Sequence, residues 1–113
     1  MMSYIGNIYW LEIYYEDKDE SKIRPILIVN HEKDSNLLTI AEITSSPPNN
    51  PATYFDQFKE PIYKWKDAGL SRLSYVKTHK LHRIAKDELG SYCGELDGDE
   101  FFRILDKIIE VNN

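Results

Sequence analysis

The sequence predicts an α+β domain: a small curled antiparallel sheet or barrel carrying one C-terminal helix. Three observations lead there. Short runs of β-branched and aromatic residues recur between polar turns along most of the chain. The last segment changes period, with Phe101, Ile104, Leu105, Ile108 and Ile109 at helical spacing. The length of 113 residues, with 42% hydrophobic and 29% charged, suits one core, so residues 1–113 read as a single domain.

Each element has its own reason. NIYWLEIYY, residues 7–15, is aromatic and β-branched and reads as a strand. EDKDESK reads as a charged loop. Residues 24–30 form a second strand, whose unbroken apolar run Ile26, Leu27, Ile28, Val29 fits burial on both faces. HEKDSN is a polar turn that makes a hairpin with the third strand, residues 37–44. SSPPNNP is a loop. Residues 53–58 are expected as a short strand, and residues 60–69 carry no clear pattern. Residues 73–84 read as one long strand or two short ones, with an imperfect alternation that indicates a bulge. Residues 87–89 suit a helical turn. Asp97 with Glu100 forms a D-x-x-E variant of the capping box, so a helix is expected over residues 98–111 with its apolar stripe laid on the sheet.

Composition excludes several function classes. A net charge of −5 argues against a general nucleic-acid binder. Yet Arg72, Lys77, Lys80, Arg83 and Lys86 follow one another with no acid between them, which fits an anionic partner bound at one place. Cys93 is the only cysteine, so no internal disulfide forms; its acidic neighbours disfavour a reactive thiolate. No apolar run reaches the ~20 residues of a membrane span, and MMSYIGNIYW lacks the basic start and apolar block of a signal peptide. A cytoplasmic protein with no membrane association is expected.

The familiar catalytic patterns fail one by one. In HKLH, His79 and His82 lie three apart on a strand and face opposite sides, so they make no metal pair. Asp97-Gly98-Asp99-Glu100 lacks calcium-loop spacing and reads as a helix cap. No glycine-rich phosphate loop is present, and no metal or cofactor is expected. What remains is Arg24 with Pro25 at the start of one strand, and Thr44, Ser45 and Ser46 at the end of the next. In a hairpin those two ends are neighbours, so Arg24 and Thr44 would face each other at one rim.

Several motifs match a known family in order. Gly6-Asn7-Ile8-Tyr9-Trp10 resembles G-D-I-x-W, and Ile23-Arg24-Pro25-Ile26-Leu27-Ile28-Val29 resembles an R-P-x-L-V-V strand. Ala41-Glu42-Ile43-Thr44-Ser45 resembles a P-I-T-S ending, and residues 69–84 resemble a G-L-x-x-x-S-x-v segment with its following strand. Gly94-Glu95-Leu96-Asp97 resembles the turn before the last helix. Together these resemble the MazF/PemK toxins of bacterial type II toxin–antitoxin systems over residues 6–109. Two departures stand out: Asn7 replaces the family's Asp, and the first loop, EDKDESK, has no glycine.

The resemblance implies a compact SH3-like barrel with a C-terminal helix, paired as a homodimer. It implies a metal-independent endoribonuclease that cuts single-stranded RNA and is held in check by a cognate antitoxin. Arg24 and Thr44 take the catalytic positions. The residue types suit that chemistry. Attack by a 2′-hydroxyl yields a 2′,3′-cyclic phosphate, Arg24 offers charge-assisted donors to the phosphoryl oxygens, and Thr44 positions. His79 is a candidate auxiliary acid or base. Ser45, Lys77, Lys80 and Arg83 are candidate RNA contacts, and Tyr14, Tyr15 and Phe55 candidate base-stacking groups. The acidic loop is a candidate lid that competes with phosphate. The alternative is a non-catalytic module of the same fold that binds a protein, as the gyrase-poison toxins do, or an antitoxin.

Overall fold

The computed structural model describes residues 4–113. Six antiparallel strands form one curled sheet, a half-barrel, in the order β4-β5-β3-β2-β1-β6. They are β1 (Asn7–Tyr15), β2 (Glu20–His31), β3 (Leu37–Thr44), β4 (Lys59–Ile62), β5 (Ser74–Ala85) and β6 (Tyr92–Glu95), and the chain ends in helix α1 (Gly98–Asn112).

The apolar run of β2 explains the layering. Leu27 and Val29 face a core with Ile8, Ala41, Ile43 and the α1 residues Phe101, Ile104 and Ile108. Ile26 and Ile28 face the other side, with Leu11, Leu38 and Ile40. Alternation sends neighbours to opposite faces, so a strand covered on both sides must be apolar throughout. Each of the fully buried leucine and isoleucine side chains contributes about 1.5–3 kcal/mol.

Several expectations change. β2 starts at Glu20, because the β1 ladder runs on to Tyr15↔Glu20, and only the tip, Glu16–Lys18, is a 3-10 turn. Asp19 closes that tip with φ 47°. The segment expected as a strand at residues 53–58 is a 3-10 turn, Tyr54–Phe58. The Asp56 carboxylate causes this by accepting from Thr53 N at 2.8 Å and Asn49 N at 3.0 Å, which curls the backbone round it. β4 lies in the stretch without a pattern. β6 overlaps the segment Gly94-Glu95-Leu96-Asp97 that resembles the turn before the last helix. It pairs on the outer edge of β1, and a Cβ on Gly94 would meet the Ala68 carbonyl oxygen at 2.1 Å, so glycine permits that crossing.

The helix stands where expected, with two corrections. Asp97 Oδ2 accepts from Asp99 N at 3.2 Å. Glu100 does not complete the box; its Oε2 accepts from Lys64 N at 2.9 Å and ties α1 to the turn after β4. Ile109 is exposed rather than packed, because it lies about 80° round the helix from Phe101. The helical turn near residue 87 is present as a 3-10 turn, Lys86–Glu88.

Candidate active site

Pro25 organises the rim. It pairs with Trp10 on β1, whereas the β2–β3 ladder begins one residue later at Ile26↔Glu42. Proline has no N–H to offer and suits the end of a ladder. Carrying that register two residues outward sets Arg24 opposite Thr44, beyond the last rung. Alternation then puts Arg24, Glu42 and Thr44 on one face.

Above that face lies a cavity of about 580 Å³. Arg24, Glu42 and Thr44 line its floor; Tyr15, Lys18 and Lys22 line the β1–β2 side; Asn49, Phe55, Asp56 and Lys59 line the far side; and Lys77, His79 and Lys80 come from β5. Six of the lining side chains are cationic and two are carboxylates, in a chain of net charge −5. The positive charge of this acidic protein is thus concentrated around one cavity, which suits an anionic partner.

The bulge in β5 builds this wall. Val76 pairs with Ile43 and Leu81 with Ala41, so residues 77–80 stand against Glu42 alone. In a regular strand Lys77 and Lys80 would face opposite sides. The extra residues turn both into the cavity together with His79. Thr78 points inward instead and donates to the Phe58 carbonyl at 2.6 Å, which anchors the aromatic turn to β5.

The local contacts assign each side chain a state. Arg24 is half-buried, and its Nε donates to the Tyr15 hydroxyl at 3.1 Å; its terminal nitrogens have no partner among the described residues. Thr44 Oγ1 accepts from Ser46 N at 3.1 Å. His79 stacks on Phe55 at 5.2 Å and contacts Phe58 at 4.8 Å. Burial pushes its pKa down from the usual 6.5, and Lys80 and Lys77 push it the same way against the pull of Glu42. Burial also lowers the Lys77 pKa, against the pull of Glu42. Asp56 is held well below the usual carboxylate range, chiefly by the Thr53 backbone N–H, and pairs with Lys59 at 3.1 Å.

Not every candidate residue gathers here. Ser45 points the other way, into a depression of about 200 Å³ shared with Trp10, Ile23, Arg24 and Arg72. Arg83 is ion-paired with Glu32 and lies outside the cavity. Tyr14 is exposed and donates to Asp19, whereas Tyr15 and Phe55 line the cavity. Burial pushes the Cys93 thiol up. Sequence reasoning missed Glu42, Lys18, Lys22 and Lys59. The alternation that puts Glu42 beside Thr44 was available; the folding-over of the other three was not. Among the described residues no cluster of three or more His, Cys, Asp or Glu side chains could hold a metal ion. No described helix is long and apolar enough to cross a membrane.

Comparison with known proteins places this geometry. The profile of the family described as "PemK-like, MazF-like toxin of type II toxin-antitoxin system" matches residues 4–111. Comparison with curated proteins gives no significant match. Among solved structures, an endoribonuclease in complex with its cognate antitoxin from a mycobacterial species aligns with a TM-score of 0.71 at 19% identity, covering 98% of this chain and 95% of that one. The Mycobacterium tuberculosis toxin MazF-mt6 aligns with a TM-score of 0.66 at 22% identity, covering 94% and 95%. A chain of a MazE-MazF crystal structure from Deinococcus radiodurans aligns with a TM-score of 0.70 at 13% identity, covering 96% of this chain and 94% of that one. At these identities the structures speak to the fold, which is the half-barrel with a C-terminal helix described above.

Proposed function

Because the chain belongs to the PemK-like, MazF-like toxin family of type II toxin–antitoxin systems, we propose that it is an endoribonuclease that cuts single-stranded RNA at the Arg24–Thr44 rim without a metal ion. The observation that carries this reading is that both side chains line the floor of one cationic cavity in an otherwise acidic protein.

The chemistry follows from the contacts. The 2′-hydroxyl of one nucleotide attacks the adjacent phosphorus, and a 2′,3′-cyclic phosphate and a free 5′-hydroxyl result. Negative charge builds on the phosphoryl oxygens. Tyr15 holds the Nε of Arg24, so its terminal nitrogens are free to donate to those oxygens. Ser46 N–H uses the acceptor side of Thr44, which leaves the hydroxyl proton to donate to the phosphate. Lys18, Lys22, Lys77 and Lys80 surround the strand as it passes. The ring of His79, stacked with Phe55, forms a flat wall for an unpaired base. DNA lacks the attacking hydroxyl and is not a substrate.

The same reading assigns the protein an antitoxin partner and a homodimeric state. The mycobacterial endoribonuclease is seen in complex with its cognate antitoxin, and the Deinococcus structure is of MazE-MazF. The deciding experiment incubates the purified protein with a long single-stranded RNA, and with DNA of the same sequence, in EDTA. Discrete RNA fragments ending in cyclic phosphate, with DNA intact, are expected. Intact RNA overturns the reading, and capture of a protein target such as gyrase in its place establishes the binding module.

A further inference from the structure

Arg24 and Thr44 leave one atom unaccounted for, the proton of the attacking 2′-hydroxyl. Arg24 is always charged, and a threonine hydroxyl ionises far above neutral pH. His79 belongs to the wall rather than the floor: its Nδ1 is buried without a hydrogen-bond partner, and its ring lies against Phe55 and Phe58. One basic group remains on the floor. Glu42 is 5% exposed, lines the same cavity and stands two residues from Thr44 on the same face of β3. A cavity meant only to hold an anion gains nothing from a buried carboxylate, which costs desolvation and repels phosphate.

The contacts of Glu42 divide its two oxygens. Oε2 accepts from His82 Nε2 at 2.7 Å, which fixes the rotamer. Oε1 carries only a loose ion pair to Lys77 Nζ at 4.0 Å. Resting on the ribonuclease reading above, we propose that Glu42 is a further catalytic residue, the general base for the 2′-hydroxyl, with Lys77 the general acid for the 5′ leaving oxygen. The proton of the 2′-hydroxyl passes to Glu42 Oε1 as the O2′–P bond forms. The P–O5′ bond breaks with its electron pair on O5′, which takes a proton from the Lys77 ammonium. The uncharged Lys77 amine then recovers a proton from the Glu42 carboxyl across the short gap between them, and no net proton is consumed. Burial makes the Lys77 ammonium a readier donor than a solvated lysine.

The test compares the parent, Glu42→Gln and Lys77→Met on two single-stranded oligonucleotides. One carries an ordinary scissile phosphodiester. The other carries sulfur in place of the bridging 5′ oxygen, so that its thiolate leaves without a proton. Glu42→Gln is expected to lose about 10²–10⁴ in kcat on both substrates with KM nearly unchanged. Lys77→Met is expected to lose about 10²-fold or more on the oxygen substrate and to recover on the sulfur one. Parental kcat in Glu42→Gln, or a Lys77→Met defect equal on both substrates, overturns the proposal and leaves the nuclease reading intact. A parent that cuts neither substrate nor long RNA defeats both. If a thermal melt shows that Glu42→Gln does not fold, the leaving-group result with Lys77→Met decides, since that side chain is partly solvent-exposed.

Discussion

Replacing Arg24 with alanine tests the site most directly. Among the described residues its side chain makes one hydrogen bond, to Tyr15, and no ion pair. Its removal therefore costs only about 1 kcal/mol of stability, or about 4 °C in melting temperature, and the variant stays folded at 25 °C. Binding changes modestly too. Six cations line the cavity, and losing one shifts the salt slope for single-stranded RNA by about 0.7, which near 0.1 M salt is about fivefold in KM. The chemical step is different, because a donor aimed at the developing charge contributes about 2.7–4 kcal/mol. That is a loss of about 10²–10³ in kcat. The assay is cleavage of a fluorogenic single-stranded oligonucleotide across a salt series, with kcat and KM separated. Arg24→Lys restores the charge but not the planar fork, and so should recover KM and not kcat. An Arg24→Ala variant with parental kcat, or one whose whole loss lies in a salt-dependent KM, would refute the assignment.

Three further outcomes follow from the walls of the cavity. Phe55→Ala removes the exposed half of the aromatic wall and should raise the Kd for a single-stranded oligonucleotide about tenfold, read by fluorescence anisotropy. Neutralising Glu16, Asp17, Asp19 and Glu20 should tighten RNA binding about threefold at low salt, since Glu20 engages the cavity residue Lys22 at 3.8 Å; the gain should vanish near 1 M salt, and an unchanged Kd at low salt would reject the lid. Asp56→Asn should lower the melting temperature at pH 7. The folded-state pKa of Asp56 is depressed from 3.8, so its stabilisation is fully present above that value and fades as the pH falls below it. The melting temperatures of parent and variant should therefore converge in acid.

Strands β1 and β3 and the helix were legible in the sequence because each is specified by its own side chains: aromatic and β-branched runs for the strands, a 3.6-residue stripe for α1. The elements that were misread depend on distant partners. The backbone of residues 20–23 becomes strand only because β1 continues beside it. Residues 54–58 curl round one buried carboxylate, and the short edge strands β4 and β6 borrow their order from β5 and β1.

The candidate site divides the same way. Antiparallel pairing is local, so a hairpin was enough to bring Arg24 and Thr44 to one rim on the strength of the sequence alone. Which of the basic residues reach that rim was decided by tertiary structure. The bulge at residues 77–80 turns Lys77 and Lys80 to one side, while Arg83, on the regular stretch beyond it, goes to Glu32. The burial of Glu42 between Lys77 and His82 likewise exists only once β5 lies against β3. Side-chain period is set by neighbouring residues, but the direction of a bulge and the partners of a buried charge are set by the strands packed against it.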